Sequence, residues 1–195
     1  MKIIRFVSYD FQSNVFVLED NLTNQVWLID AGYSGELIKY LSYRKILNGI
    51  FLTHSHFDHI SGLNKILEIF PNTKVYSKAS SLEYLSNSEK NLSMFHGRPV
   101  AYSGNIVELN NHDIVNINDD ESIKVYETPG HHPTCLTYIW RRYIFTGDAF
   151  IPGKKVITNL PDGDKKLAQL SFYKIVSLGL NKKIICPGHS IIQNI

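Results

Sequence analysis

The chain has 195 residues, 44% of them hydrophobic and 19% charged, with a formal net charge of +2. That balance excludes an acidic disordered chain and a strongly basic nucleic-acid surface. The length suits a single domain over 1–195 or two tightly fused halves, and leaves no room for a large accessory domain beside a catalytic unit.

The opening MKIIRFVSYDF carries Lys2 and Arg5, but Ser8 and Asp10 interrupt its apolar run, so it reads as a first strand over 3–8 and not as a signal peptide. Short β-branched and aromatic runs at 15–18 and 26–29, with the polar 21–24 between them, predict an antiparallel meander with a hairpin turn. A short helix is expected over 35–43 and a strand over 50–53. Ile60, Leu63, Ile66, Leu67 and Phe70 then recur at helical spacing until Pro71 stops the pattern. A strand at 74–77 and a helix around 81–85 follow. The polar stretch 86–112 has no readable period, and a lid is one use for it. Strands are expected at 123–127, 136–140, 143–145 and 183–186, with an amphipathic helix over 165–178 capped by Asp164. Two strand-rich halves, each ending in helices, predict a layered α/β fold with two sheets face to face and helices outside. No run reaches the roughly 18 apolar residues of a membrane helix, so a cytoplasmic protein without membrane or nucleic-acid partners is expected.

The densest chemistry is Thr53-His54-Ser55-His56-Phe57-Asp58-His59, between an apolar strand and an amphipathic helix. Positions 54 and 56 on extended backbone point the same way, whereas Asp58 and His59, at the turn into the helix, face a second point a few Å away. That arrangement suits two metal ions. Three further runs, Val125 to His131, Tyr143 to Asp148 and Ile184 to His189, each pass from an apolar strand through glycine to a potential ligand. Imidazole and carboxylate donors fit zinc, and also iron or manganese. Water shared by two divalent ions is acidified toward neutrality and would serve as the hydroxide nucleophile, with Asp58 or a metal-bound water returning a proton to the leaving group. Neither Cys135 nor any serine has a base partner in the sequence, so a covalent acyl-enzyme is not expected.

The ordered set HxHxDH (54–59), TPGHH (128–132), TGD (146–148) and PGH (187–189) resembles the metallo-β-lactamase superfamily over essentially the whole chain. The resemblance implies an αββα four-layer sandwich of two mixed sheets with helices on the outer faces. It implies one metal on His54, His56 and His131, a second on Asp58, His59 and His189, and Asp148 bridging them. The stretches 146–153 and 158–164 are similar to small glyoxalase II-like (hydroxyacylglutathione hydrolase-like) enzymes, which implies hydrolysis of a thioester or related ester of a small molecule. A mononuclear-iron persulfide dioxygenase and an acyl-homoserine-lactone lactonase are alternatives within the same resemblance. Lactam hydrolysis is not expected, and Ile157, standing where relatives often carry a basic residue, argues against glutathione specificity.

Around the seven ligand candidates, Asp30 ends a strand and would orient a ligand imidazole or cap a turn. His132 is read as a hydrogen-bonding neighbour of His131. Cys135 and Cys186 are read as buried thiols, and His96 and His112 are given no role. Phe57, Tyr33, Phe150 and Tyr102 fit either a substrate cleft or core packing. Lys154 and Lys155 fit a solvated pair.

Overall fold

The computed structural model describes residues 1–43 and 45–194, which fall into two compact units, 1–108 and 109–195. The first unit is built on β1 (Lys2–Val7), β2 (Asn14–Glu19), β3 (Gln25–Ile29), β4 (Ile46–Phe51), β5 (Lys74–Ser77) and β6 (Val107–Glu108), in that spatial order. The first three strands are the predicted antiparallel meander. Its turn at 21–24 closes through Asp20 N–H to Gln25 O (2.9 Å), and the Asp20 carboxylate accepts from Leu22 N–H (2.8 Å), a hydrogen bond to the backbone two residues on that aspartate favours. From β3 onward the pairing is parallel. Helices therefore fill the crossovers: α1 (Gly35–Ser42), α2 (Phe57–Ile60), α3 (Leu63–Ile69) and α4 (Ser81–Leu85).

The helical spacing predicted through 60–70 is divided between α2 and α3, because Gly62 N–H donates to Ala31 O (2.7 Å) and the chain breaks there. The apolar stripe survives the break: Ile60, Leu63 and Ile66 join Leu37 and Leu41 of α1 against Val26, Leu28, Ile50 and Val75 of the sheet. Each such aliphatic side chain contributes about 1.5–3 kcal/mol on burial.

The 86–112 stretch is ordered by side chains, which is why no periodicity betrayed it. Asn91 donates to Tyr84 O (3.1 Å) and Val100 O (2.8 Å) and accepts from Ser93 N–H (3.0 Å), and Tyr102 N–H donates to Leu85 O (2.7 Å). One buried amide thus closes a loop containing a single 3-10 turn, Ser93–His96.

The second unit carries β7 (Ile114–Asn116), β8 (Ser122–Glu127), β9 (Leu136–Trp140), β10 (Tyr143–Gly147), β11 (Ile184–Pro187) and β12 (Gln193–Asn194), in the order β12-β11-β10-β9-β8-β7. Only β10 and β11 pair in parallel. The short strands β7 and β12 lie below the length at which alternation can be read from sequence. The helix α5 (Lys165–Ser177) matches the predicted span, and Asp164 caps it by accepting from Leu167 N–H (2.9 Å). No helix among the described residues is long and apolar enough to cross a membrane.

Helix α5 fixes the loop that leaves β8. Ser171 Oγ donates to Pro129 O (2.6 Å), Lys174 Nζ to Glu127 O (2.8 Å), and Asp164 N–H to Gly130 O (2.8 Å). Gly130, at φ 136°, lies so near the helix that a Cβ there would stand 2.1 Å from Ala168 N. We expect Gly130→Ala to destabilise the protein by about 3 kcal/mol or more, since backbone must move. Gly153→Ala, at φ 74° with nothing within 4 Å of the added carbon, should cost only about 1–2 kcal/mol. Urea unfolding of the two variants side by side checks this, and equal losses would show that the α5 contact is not what demands glycine.

Candidate metal centre

Every predicted ligand sits just past the C-terminal end of a strand. In the first unit, His54 and His56 lie in the loop after β4, and Asp58 and His59 lie in α2. Strands β3 and β4 run parallel with Ile29 opposite Phe51, so Asp30 and the histidine loop leave the sheet side by side. Asp30 then becomes the hub. Its Oδ1 accepts from Thr53 N–H (2.7 Å), and its Oδ2 accepts from Thr53 Oγ1 (2.8 Å) and pairs with His59 Nδ1 (2.8 Å).

These bonds set the imidazole tautomers. A carboxylate only accepts, so His59 carries its proton on Nδ1 and keeps the Nε2 lone pair. Thr53 Oγ1 gives its proton to Asp30 and can only accept from His54 Nδ1, 3.2 Å away, which leaves the Nε2 lone pair on His54 as well. Asp30 is therefore both the orienting carboxylate and the turn anchor that the sequence offered as alternatives, and it stands at φ 65°, a left-handed conformation that aspartate tolerates. The donor atoms of His54 and His56, of His54 and His59, and of Asp58 and His59 lie within 4.8 Å of one another in each pair. His59 Nε2 is 3.5 Å from Asp58 Oδ2.

The second unit repeats the logic with a different acceptor. His131 Nδ1 lies 2.8 Å from Ile157 O; a carbonyl cannot donate, so Nε2 again keeps its lone pair. Its neighbour His132 has the opposite tautomer, because Thr134 N–H donates to His132 Nδ1 (3.3 Å). Burial first, and the adjacent His131 second, push the His132 pKa down to about 3, so this ring is neutral and proton-bearing at Nε2. That separates the ligand candidate from the structural histidine beside it. Strands β10 and β11 are parallel, and Gly188 N–H donates to Gly147 O (2.9 Å), so Asp148 and His189 emerge together. Asp148 Oδ2 lies 3.6 Å from His131 Nε2 and 3.4 Å from His189 Nε2.

Separations of 3.4–3.6 Å are too long for hydrogen bonds. They match the edge of a tetrahedron of donors about 2.1 Å from a shared ion, which is about 3.4 Å. The chemistry of the donor set points the same way, since the buried Asp58 and half-buried Asp148 carboxylates stand beside imidazole nitrogens, and a cation among them would offset their charge. The residues present thus fit metal ions, with His59 Nε2 and Asp58 placed as one pair and His131, Asp148 and His189 as another group.

The other candidates fall outside these clusters. Burial pushes the Cys186 thiol up to about 12, and Cys135 is also buried. Phe150 packs in the core of the second unit beside Cys135 and Ile175, and Tyr102 packs on the core of the first with its hydroxyl donating to Asn105 O (2.7 Å). Tyr33 stands edge-on to Tyr9, and His112 edge-on to Tyr126. Lys154 and Lys155 are exposed. His96, given no role from sequence, stacks on Phe57, with ring centroids 4.4 Å apart; no local pattern could link residues so far apart in the chain.

The metallo-beta-lactamase superfamily matches residues 8–189. The chain belongs to that superfamily, and its two mixed sheets with helices match the superfamily's α/β sandwich fold. Among curated relatives it is 27% identical over 190 residues to a hydroxyacylglutathione hydrolase of Buchnera aphidicola subsp. Acyrthosiphon pisum (strain APS), covering 96% of this chain and 65% of that protein. It spans 59% of a second relative of the same name from Pseudoalteromonas translucida (strain TAC 125), at 24% identity over 173 residues and 88% of this chain, and so falls short of two thirds of the length of either. Among solved structures, BLEG-1 B3 metallo-beta-lactamase superposes with a TM-score of 0.88 at 26% identity, over 98% of this chain and 93% of that one.

Asp30→Asn tests the hub at constant volume. The amide nitrogen would face His59 Nδ1 and donate to it, moving the histidine proton to Nε2, where the metal should bind. We expect metal affinity to fall about 10–100-fold in competition with a chromogenic chelator. Thr53→Ser, which keeps the hydroxyl, should fall less than about threefold. Unchanged affinity in Asp30→Asn would sink the tautomer argument.

Proposed function

We propose that the protein is a dinuclear metal-dependent hydrolase of thioesters or related esters, with residues 1–195 acting as one catalytic unit in the cytoplasm. In this reading His54, His56 and His131 would hold one divalent ion, Asp58, His59 and His189 would hold the second, and Asp148 would serve both. The observation that carries it is the paired geometry of the carboxylates. Asp58 and Asp148 each stand 3.4–3.6 Å from histidine Nε2 atoms, and the tautomers of His59 and His131 are fixed by acceptors on Nδ1. The superfamily supports hydrolysis, and the hydroxyacylglutathione hydrolases at 24–27% identity support a hydroxyacyl thioester as the first substrate to assay.

Bound divalent ions would acidify water at neutral pH and polarise the substrate carbonyl. The chain's own part is to hold that chemistry in place. Asp30 and the Ile157 carbonyl keep protons off the Nε2 atoms of His59 and His131. Ser13 Oγ donates to Asp58 O (2.7 Å) and fixes the backbone of the residue that would carry a proton to the departing thiolate. Water adds to the acyl carbon, the C–S bond breaks, and an acid and a thiol leave. The buried Cys186, held as a thiol, takes no part.

Metal content by mass spectrometry, measured together with hydrolysis of lactoylglutathione and of simple acyl thioesters, checks the proposal. About two zinc ions or first-row equivalents per chain are expected; TTHA1623, of similar fold (TM-score 0.81, 21% identity, over 98% of this chain and 94% of that one), was solved in a di-iron-bound form, so iron belongs in the assay beside zinc. Asp148→Ala should lower kcat/KM at least about a hundredfold. A β-lactam belongs among the controls. One iron per chain with oxygen uptake on a persulfide, and no ester or thioester cleavage, would replace this reading with an oxidoreductase.

A further inference from the structure

Helix α5 leaves part of the second sheet uncovered. It ends at Ser177, and Gly179, at φ 82°, turns the chain away into a 3-10 turn over Leu180–Lys182 that leads to β11. Beyond that end a cleft of about 410 Å³ remains, within the size range of small-molecule sites. Its floor is Tyr126, Ile139 and Leu178, which pack with the core of the second unit. Lys124 stands opposite Ile139 in the β8–β9 register, so its side chain rises from the same face of the sheet.

The charges around this floor are not all engaged. Arg141 lines the cleft paired with Glu121, whose carboxylate also accepts from Trp140 Nε1 (2.8 Å). Lys174 of α5 is engaged too, donating to Glu127 O (2.8 Å). Lys124 and Lys183 also line the cleft, and neither side chain forms an ion pair or hydrogen bond among the described residues. With Arg141 and Glu121 cancelling, two ammonium groups face the single carboxylate of Asp120, a balance of one positive charge. Lysine stems often roof apolar surface, yet here the space between them stays open.

The cleft lies away from the ligand candidates. Lys124 is near the start of β8, whose far end leads to His131, and Lys183 directly precedes β11, whose far end leads to His189. Strands of six and four residues put about 13–20 Å between the two places.

We propose that this cleft is a second binding site, for a small organic carboxylate with an apolar body. Lys124 and Lys183 hold the carboxylate, and Tyr126, Ile139 and Leu178 take the body. One net positive charge over an apolar floor matches a monoanion of that kind. The site does not depend on the hydrolase reading, since no ligand candidate lines it.

The test follows the methyl resonances of Ile139 and Leu178 in the intact protein as hydrocinnamate is added, with hydrocinnamyl alcohol as its neutral counterpart. Hydrocinnamate should shift both signals saturably below about 10 mM, and the alcohol should bind at least about fivefold more weakly. Lys124→Met and Lys183→Met keep an apolar stem and remove the charge. Each should weaken hydrocinnamate about twofold to fivefold and leave the alcohol unchanged, with circular dichroism confirming the fold. No saturable shift at these methyls, an alcohol that binds as tightly as the acid, or acid binding untouched by both substitutions overturns the proposal. Carboxylate captured only at the histidine cluster leaves both methyls still and counts as the first of these.

Discussion

The first unit depends on one buried carboxylate. Asp30 is 2% exposed and accepts three hydrogen bonds, two from Thr53 and one from His59. Through Thr53 it also determines the state of His54. A group so placed does two things at once. It stitches the end of β3 to the loop after β4, which satisfies backbone that would otherwise be stranded. It also fixes which nitrogen of two imidazoles is available. Structural and chemical demands therefore fall on the same atoms, and its left-handed backbone is the conformational cost of aiming both oxygens into the loop.

The second unit meets the same requirement without a carboxylate. The Ile157 carbonyl holds His131, and α5 holds the loop on which His131 sits through Ser171, Lys174 and the close approach at Gly130. Here the orienting group is backbone, so any residue at 157 could present it; Ile157 is itself 53% exposed. The side chain at that position is free to vary while the acceptor stays. This explains how a departure from the family pattern in the side chain at 157 leaves the His131 contact whole.

The part of this legible in sequence was the part encoded within a few residues. The 54–59 cluster, the glycine before each later ligand and the Asp164 cap are local patterns, and the structure places each just past a strand end or at a helix start as expected. Asp30 was legible as a candidate because it ends an apolar strand, although its two partners lie 23 and 29 residues away. The loop after α4 was not legible, since its order comes from the single side chain of Asn91 reaching Tyr84 and Val100, which leaves no period to read. The division of α2 from α3 escaped for a related reason: the apolar stripe runs on through the break, and the hydrogen bond from Gly62 to Ala31 that causes it is tertiary.

The same distinction separates chemistry from specificity in this molecule. Ligands of one ion must converge within a few Å, so the candidates cluster past strand ends, the later three with glycine beside them, and such marks survive in a single sequence. The packing of Phe11, Phe57 and His96, by contrast, joins rings from three separate segments linked by no motif. A fold can therefore announce its metal chemistry and still leave its substrate to be read from loops.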